Sequence, residues 1–291
     1  MTLELRALHA EWEATEPVRF PPGKAGNLIR GALGLALQKT CCLPECREPE
    51  SCPERFTCVY ARLFEPVASG RLPSGLADPP RPFVLRAAHL DGRHFKPGRL
   101  FGFDLHLFDL DPAPSEALRA AMSRLAEHGL GREKGHAICR GVSLRPVTLD
   151  LAPEDNAPAR IRVRFVTPTE LKHAGRKVGV PEFPILLARI RDRLSTLRSL
   201  YGPGPLPIDF RDLVRRAEAV RIVSCRLEQR EVSRRSSRTG QTHLIGGFLG
   251  DVVYEGELGE FLPYLRAAWW TGVGRHTVWG NGLIEVSPEI S

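Results

Sequence analysis

The feature that most constrains the fold is an order of elements that runs through the chain twice. Residues 2–13 alternate apolar and polar like a strand, and residues 26–39 carry Leu28, Ile29, Leu33 and Leu37 at helical spacing. After a cysteine-rich stretch, 82–88 and 99–109 read as strands. Residues 115–128 then read as a helix, with Asp111 or Ser115 as its cap, and 137–149 as a strand. The order βαββαβ returns in the second half. Residues 159–166 read as a strand, 183–201 as a helix and 208–219 as an additional short helix. Residues 220–232 and 243–255 are strands flanking a polar tip, 258–269 a helix and 278–286 a strand. Between the copies, 149–158 is rich in Pro, Asp and Asn, as linkers are. The pattern predicts an α+β chain of two tandem ferredoxin-like, RRM-like domains. The first spans 1–150 with a Cys-rich insert at about 40–60. The second spans 158–291, with an Arg-rich hairpin and a glycine-rich loop.

Charge narrows the function classes. The formal net charge is +7, carried by 35 Arg and only 6 Lys. Guanidinium forks match phosphate oxygens in pairs and stack on bases, although GC-rich coding also inflates Arg. Apolar runs are too short to span a bilayer, and the first residues alternate and carry acids, unlike a signal peptide. The expectation is a cytoplasmic protein without a membrane partner.

Several segments carry candidate chemistry. The last tract, 270–286, places Gly272, Gly274, Gly280 and Gly282 around Arg275 and His276, a pattern suited to close approach of backbone to phosphate. A helix precedes it and a strand follows, the reverse of a dinucleotide-binding loop. The tip 233–243 holds Arg234, Arg235 and Arg238 with no acid, as a finger that grips phosphates or as a solvated loop. Residues 167–180 hold Lys172, His173, Arg176 and Lys177 where a strand hands over to a helix, whose N-terminus would add to the pull on phosphate. Residues 99–108 partly match an aromatic RNA-binding signature, but their alternation reads better as a core strand. Cys42, Cys46, Cys52 and Cys58 form a thiol set suited to a structural zinc, less well to an iron–sulfur cluster, or to no metal at all. Asp109 and Asp111 read as a turn and cap. Neither a Walker loop nor a carboxylate cluster for a two-metal nuclease is present.

These segments together resemble the CRISPR-associated endoribonucleases that process precursor CRISPR RNA, within the repeat-associated mysterious protein superfamily. The likeness is carried by GVGRHTVWGNG after LGEFLPYLRAAWW, by GGFLGDVVYEG, and by the tract from FVTPTELKHAGRKVG to LRSLYG. RGALGLALQ and the Cys insert behind it add to it. The resemblance implies repeat RNA bound across both domains, partner effector subunits, and cleavage that needs no metal cofactor. In that cleavage the ribose 2′-hydroxyl attacks the adjacent phosphate. Relatives often place His with Tyr or Lys around the first helix, whereas residues 24–40 contain neither His nor Tyr. Lys24 and Arg30, with Arg19 just before, are the cations placed there. Either such cations act electrostatically, or a histidine from elsewhere (His173 or His276) reaches in, or the chain binds crRNA without cutting it. A metal-sensing regulator built on the cysteines is the rival from another class.

Overall fold

Residues 1–43, 46, 52–67, 72, 76, 78–235 and 242–289 are described by the computed structural model. The first strand, β1 (Thr2–Ala14), sends Leu8, Ala10, Trp12 and Ala14 into the core and leaves His9 and Glu11 in solvent. β2 (Val18–Arg19) leads to α1 (Ala25–Cys41), which buries Ile29, Leu33 and Leu37 one and two turns apart. α2 (Val59–Phe64) follows the cysteine-rich stretch, and β3 (Phe83–Arg86) is buried along its whole length. β4 (His94–Phe95) pairs with β2, and β5 (Leu100–Leu107) lies antiparallel to β1. This register sets Trp12 opposite Phe101 and Ala10 opposite Phe103, and the Trp12 ring stacks on Phe103 at 4.8 Å and on Phe101 at 5.9 Å. The segment that partly matched an aromatic RNA-binding signature is therefore core. α3 (Pro112–Arg124) and β6 (Ala137–Asp150) complete a four-stranded sheet of order β3-β5-β1-β6.

The second copy begins with β7 (Arg160–Thr169) and a small hairpin of β8 (Lys172–His173) and β9 (Arg176–Lys177). α4 (Phe183–Tyr201) and α5 (Phe210–Ala217) come next, the latter capped by Asp209, whose carboxylate accepts from the Arg211 and Asp212 amides. β10 (Arg221–Arg235), β11 (Thr242–Glu255), α6 (Leu262–Thr271) and β12 (Ile284–Pro288) finish it. Its sheet order, β10-β11-β7-β12, is the order of the first sheet with each strand replaced by its counterpart. Both are the ferredoxin-like arrangement, so the repeat of element order is a repeat of topology. Phe183 packs edge-on against Tyr254 and Phe261, and the buried Tyr254 hydroxyl donates to Pro181 O at 2.6 Å. The chain divides into two compact units: Glu4–Val147 with Leu200–Pro203, and Met1–Leu3 with Thr148–Ser199 and Gly204–Ser291. Among the described residues no helix is long and apolar enough to cross a membrane.

Three local expectations change. Asp111 stands at the N-cap of α3 but makes no side-chain cap hydrogen bond. Together with the buried Asp109 it holds Arg62 of α2, at 2.9 Å and 2.5 Å respectively. The pair of acids is an anchor for a helix, because a guanidinium offers more donors than one amide. Residues 172–177 form a hairpin through Ala174 and Gly175, both at positive φ, and α4 starts only at Phe183. The basic residues there are not at a helix N-terminus. The last strand starts at Ile284 rather than at 278, since left-handed Gly280 and Gly282 interrupt extended backbone.

Trp12→Ala removes the most deeply stacked ring of the first sheet and is expected to cost about 3–5 kcal/mol. Urea denaturation reads this directly, and an unchanged midpoint would show that Trp12 carries no core packing.

Candidate nucleic-acid interface

The glycine tract folds back on its own chain. α6 ends at Gly272, and a short 3-10 turn, Thr277–Trp279, is bounded by His276 and Gly280, both left-handed. The His276 ring lies flat on Trp279 at 4.8 Å. Val273 N donates to Gly282 O at 2.9 Å and closes the loop, while Gly282 N donates to Pro168 O at 3.1 Å and Arg275 N to Glu170 O at 3.1 Å. These contacts leave no room for side chains. A Cβ on Gly282 would stand 2.0 Å from Val273 O, and one on Gly274 2.3 Å from Glu170 O. The first requirement for glycine is therefore contact between two protein backbones, which the sequence pattern alone did not separate from contact with a ligand.

The β8–β9 hairpin reaches the same carboxylate. Glu170, only 5 % exposed, accepts from Lys177 Nζ at 3.1 Å through one oxygen and from Arg275 Nη1 at 3.2 Å through the other. Burial pushes its carboxyl up, but the hydrogen bond and charge of Lys177, and then those of Arg275, outweigh this and hold it below its ordinary value. The pairing therefore contributes at neutral pH and is lost as pH falls through that lowered value. Lys172, His173 and Arg176 are exposed and have no ion pair or side-chain hydrogen bond among the described residues. Glu170 was missed in the sequence because nothing local marks it: Arg275 is 105 residues away.

Several other arginines on this sheet are already matched. Across β7, β10, β11 and β12, Arg160 and Arg221 share Glu255 at 2.5 and 2.6 Å, and Arg162 takes Glu289 at 2.7 Å. Beyond this ladder the β10–β11 pair runs on to a register of Arg234 opposite His243 and Arg235 opposite Thr242. Arg234 and Arg235 thus continue the strand, which runs three residues further than expected, and Arg238 lies outside the described residues.

In the N-terminal unit, Arg19 on β2 and Lys24 ahead of α1 are exposed and have no side-chain partner among the described residues. Arg30 is half-buried, with its guanidinium 5.1 Å above the Phe64 ring. Asp91, 66 residues along the chain, accepts from Ala25 N at 2.8 Å and so fills the anion position at the start of α1. Burial raises the Asp91 carboxyl, against the opposing hydrogen bonds of the Ala25, Lys24 and Gly23 amides. His106 is buried, while His9 is exposed and holds Asp104 at 2.7 Å. Cys42, Cys46, Cys52 and Cys58 are all free thiols. Burial, then the proximity of Cys58 and Cys46, pushes the Cys42 thiol up to about 12. Among the described residues, no three or more His, Cys, Asp or Glu form a ready-made metal site.

Comparison with known proteins bears on the same segments. Residues 163–284 match the CRISPR-associated endoribonuclease Cas6 family, and residues 3–154 match the AF_1859_N family, an N-terminal domain. The chain is similar in fold to a Cas6 (TTHB231) product complex, at a TM-score of 0.60 and 18% identity, with 98% of this chain and 99% of the other covered. It is also similar to Thermus thermophilus Cas6 (TTHB231), at 0.53 and 17%, covering 99% of each chain. A partial Cas6-RT-Cas1–Cas2 complex superposes at 0.59 and 12%, with 99% of this chain on 46% of that one. No curated protein matches in sequence.

Gly282→Ala should destabilise the C-terminal unit, because left-handed strain alone costs roughly 1–3 kcal/mol and the clash with Val273 O adds to it. A thermal melt equal to that of the unsubstituted protein would mean that this backbone contact does not hold the loop.

Proposed function

The chain belongs to the CRISPR-associated Cas6 family, with an N-terminal domain of the AF_1859_N family, and from that premise we propose that it binds CRISPR repeat RNA and cuts precursor crRNA without a metal cofactor. The observation that carries the RNA interface is the exposed trio Lys172, His173 and Arg176, left unpaired beside a glycine loop. Unpaired cations gain nothing within the fold and attract a polyanion. Arg275, His276 and Lys177 flank the trio, with Arg234, Arg235 and Arg238 as the outer finger.

In the proposed reaction the ribose 2′-oxygen bonds to phosphorus, and the bond from phosphorus to the 5′-oxygen breaks. The 2′-hydroxyl proton goes to a base, and the departing 5′-oxygen receives one from an acid. The products are a 2′,3′-cyclic phosphate and a 5′-hydroxyl, and the protein keeps its product. His173 is proposed for proton transfer, and Arg19, Lys24 and Arg30 of the N-terminal unit are proposed separately as electrostatic contacts to RNA phosphate. Subunits of a CRISPR effector assembly are the proposed partners.

A second reading, a crRNA-binding subunit that does not cut, has its own support. α1 contains neither His nor Tyr, Arg30 packs on Phe64, and Asp91 occupies the amides at the start of α1. The cysteines add a separate proposal. Burial, and then the neighbouring thiols, raise Cys42 and Cys46, and a zinc ion held by Cys42, Cys46, Cys52 and Cys58 would favour their thiolates. Its role would be structural. Zinc content of the purified protein that is unchanged by Cys→Ser changes at these four positions would remove this proposal.

Cognate repeat RNA incubated in EDTA is expected to be cut, and the same RNA with a 2′-deoxy nucleotide at the scissile position is expected to stay intact. If neither RNA is cut, the non-cleaving reading stands instead. Lys172→Ala with Arg176→Ala should weaken binding and flatten the slope of log affinity against log salt by about 1.4, two cations' worth on single-stranded RNA. An unchanged slope takes the hairpin off the interface.

A further inference from the structure

The carboxylate buried between two basic loops has no part in the reaction above. Glu170 follows the last residue of β7 and is tied in three ways. One side-chain oxygen holds Lys177 on the hairpin, the other holds Arg275 in the glycine loop, and its backbone oxygen accepts from Arg275 N. Leu171 O next to it accepts from Val178 N at 3.0 Å and seats the hairpin base. Lys177 and Arg275 nevertheless stay 64 % and 54 % exposed. Each keeps further N–H donors, because an ammonium has three and a guanidinium five.

Stability alone is a weak reason for this arrangement. Replacing a buried ion pair by apolar packing of similar volume is often neutral for stability, even where, as here, the partners outweigh the burial of the carboxylate. What the arrangement supplies is geometry. Two long, flexible cations on different loops are held at a spacing set by one carboxylate, with a local charge of +1 left over. We infer that Glu170 is a positioning residue. It turns Lys177 and Arg275 into one composite phosphate site that discriminates by RNA backbone shape as well as by charge. The inference rests on the RNA-binding reading given above.

Glu170→Gln keeps the side-chain volume and removes the charge. In the full chain, affinities for the cognate repeat RNA and for a shuffled RNA of equal length would be measured across a salt series, beside a thermal melt. Cognate binding is expected to fall about tenfold, the worth of one charge-assisted hydrogen bond, while shuffled RNA binds as well or more tightly because a negative charge has gone. An unchanged ratio of the two affinities, or a parallel loss of both with a lowered melting temperature, overturns the inference. Wild-type protein that does not prefer cognate RNA overturns it too, together with the reading beneath it. If Glu170→Gln does not fold, Lys177→Gln and Arg275→Gln serve, singly and together, with Glu170 intact. Their effects on cognate RNA should be non-additive and those on shuffled RNA additive, whereas additivity on both RNAs overturns the inference.

Discussion

The C-terminal unit depends on one close approach of backbone to backbone, where the glycine loop lies against the end of β7. Val273 pairs with Gly282, Gly282 with Pro168, and Arg275 with Glu170, while Leu283 N reaches Thr167 Oγ1 at 2.9 Å. No Cβ fits at Gly274 or Gly282. This seam delivers the chain from α6 into β12 and thus completes the second sheet. It also sets Arg275 and His276 on a rigid support, since each is a neighbour in sequence of a residue locked by the seam. The same hydrogen bonds serve folding and the presentation of the candidate interface.

Net charge alone is a poor guide to where that interface lies. Arg160, Arg162 and Arg221 are spent on Glu255 and Glu289, Arg216 on Asp212 and Glu260, and Arg62 on Asp109 and Asp111. Exposed pairs of this kind contribute little stability individually, but they cancel part of the charge of the arginines they hold. Lys172 and Arg176 on the β8–β9 hairpin are exposed cations without partners among the described residues, beside the loop that holds Arg275. A patch is defined by what fails to be neutralised, which is a property of the folded arrangement.

The larger elements were legible because burial of one face imposes a period on the sequence. α4 spans Phe183–Tyr201 as its apolar spacing predicts, and β1, β6, β7 and β11 fall within a few residues of expectation. The β8–β9 hairpin escaped because two-residue strands carry no period, and its turn uses Ala174 rather than a second glycine. Asp91, Glu170 and the hold of Asp109 and Asp111 on Arg62 escaped for a different reason. Each is a single polar residue acting on a partner between 47 and 105 residues away.

By itself, then, the amino-acid sequence determined the duplicated βαββαβ plan, the basic character of the chain, and the segments on which glycine and free cations occur. Periodicity and composition are local and survive without coordinates. Only the tertiary structure decided which charges cancel, that the glycines first serve a contact within the protein, and that one buried carboxylate joins two basic loops. Those outcomes depend on distances between residues far apart in the chain, and a distance of 3.2 Å across 105 residues leaves no trace in either local pattern.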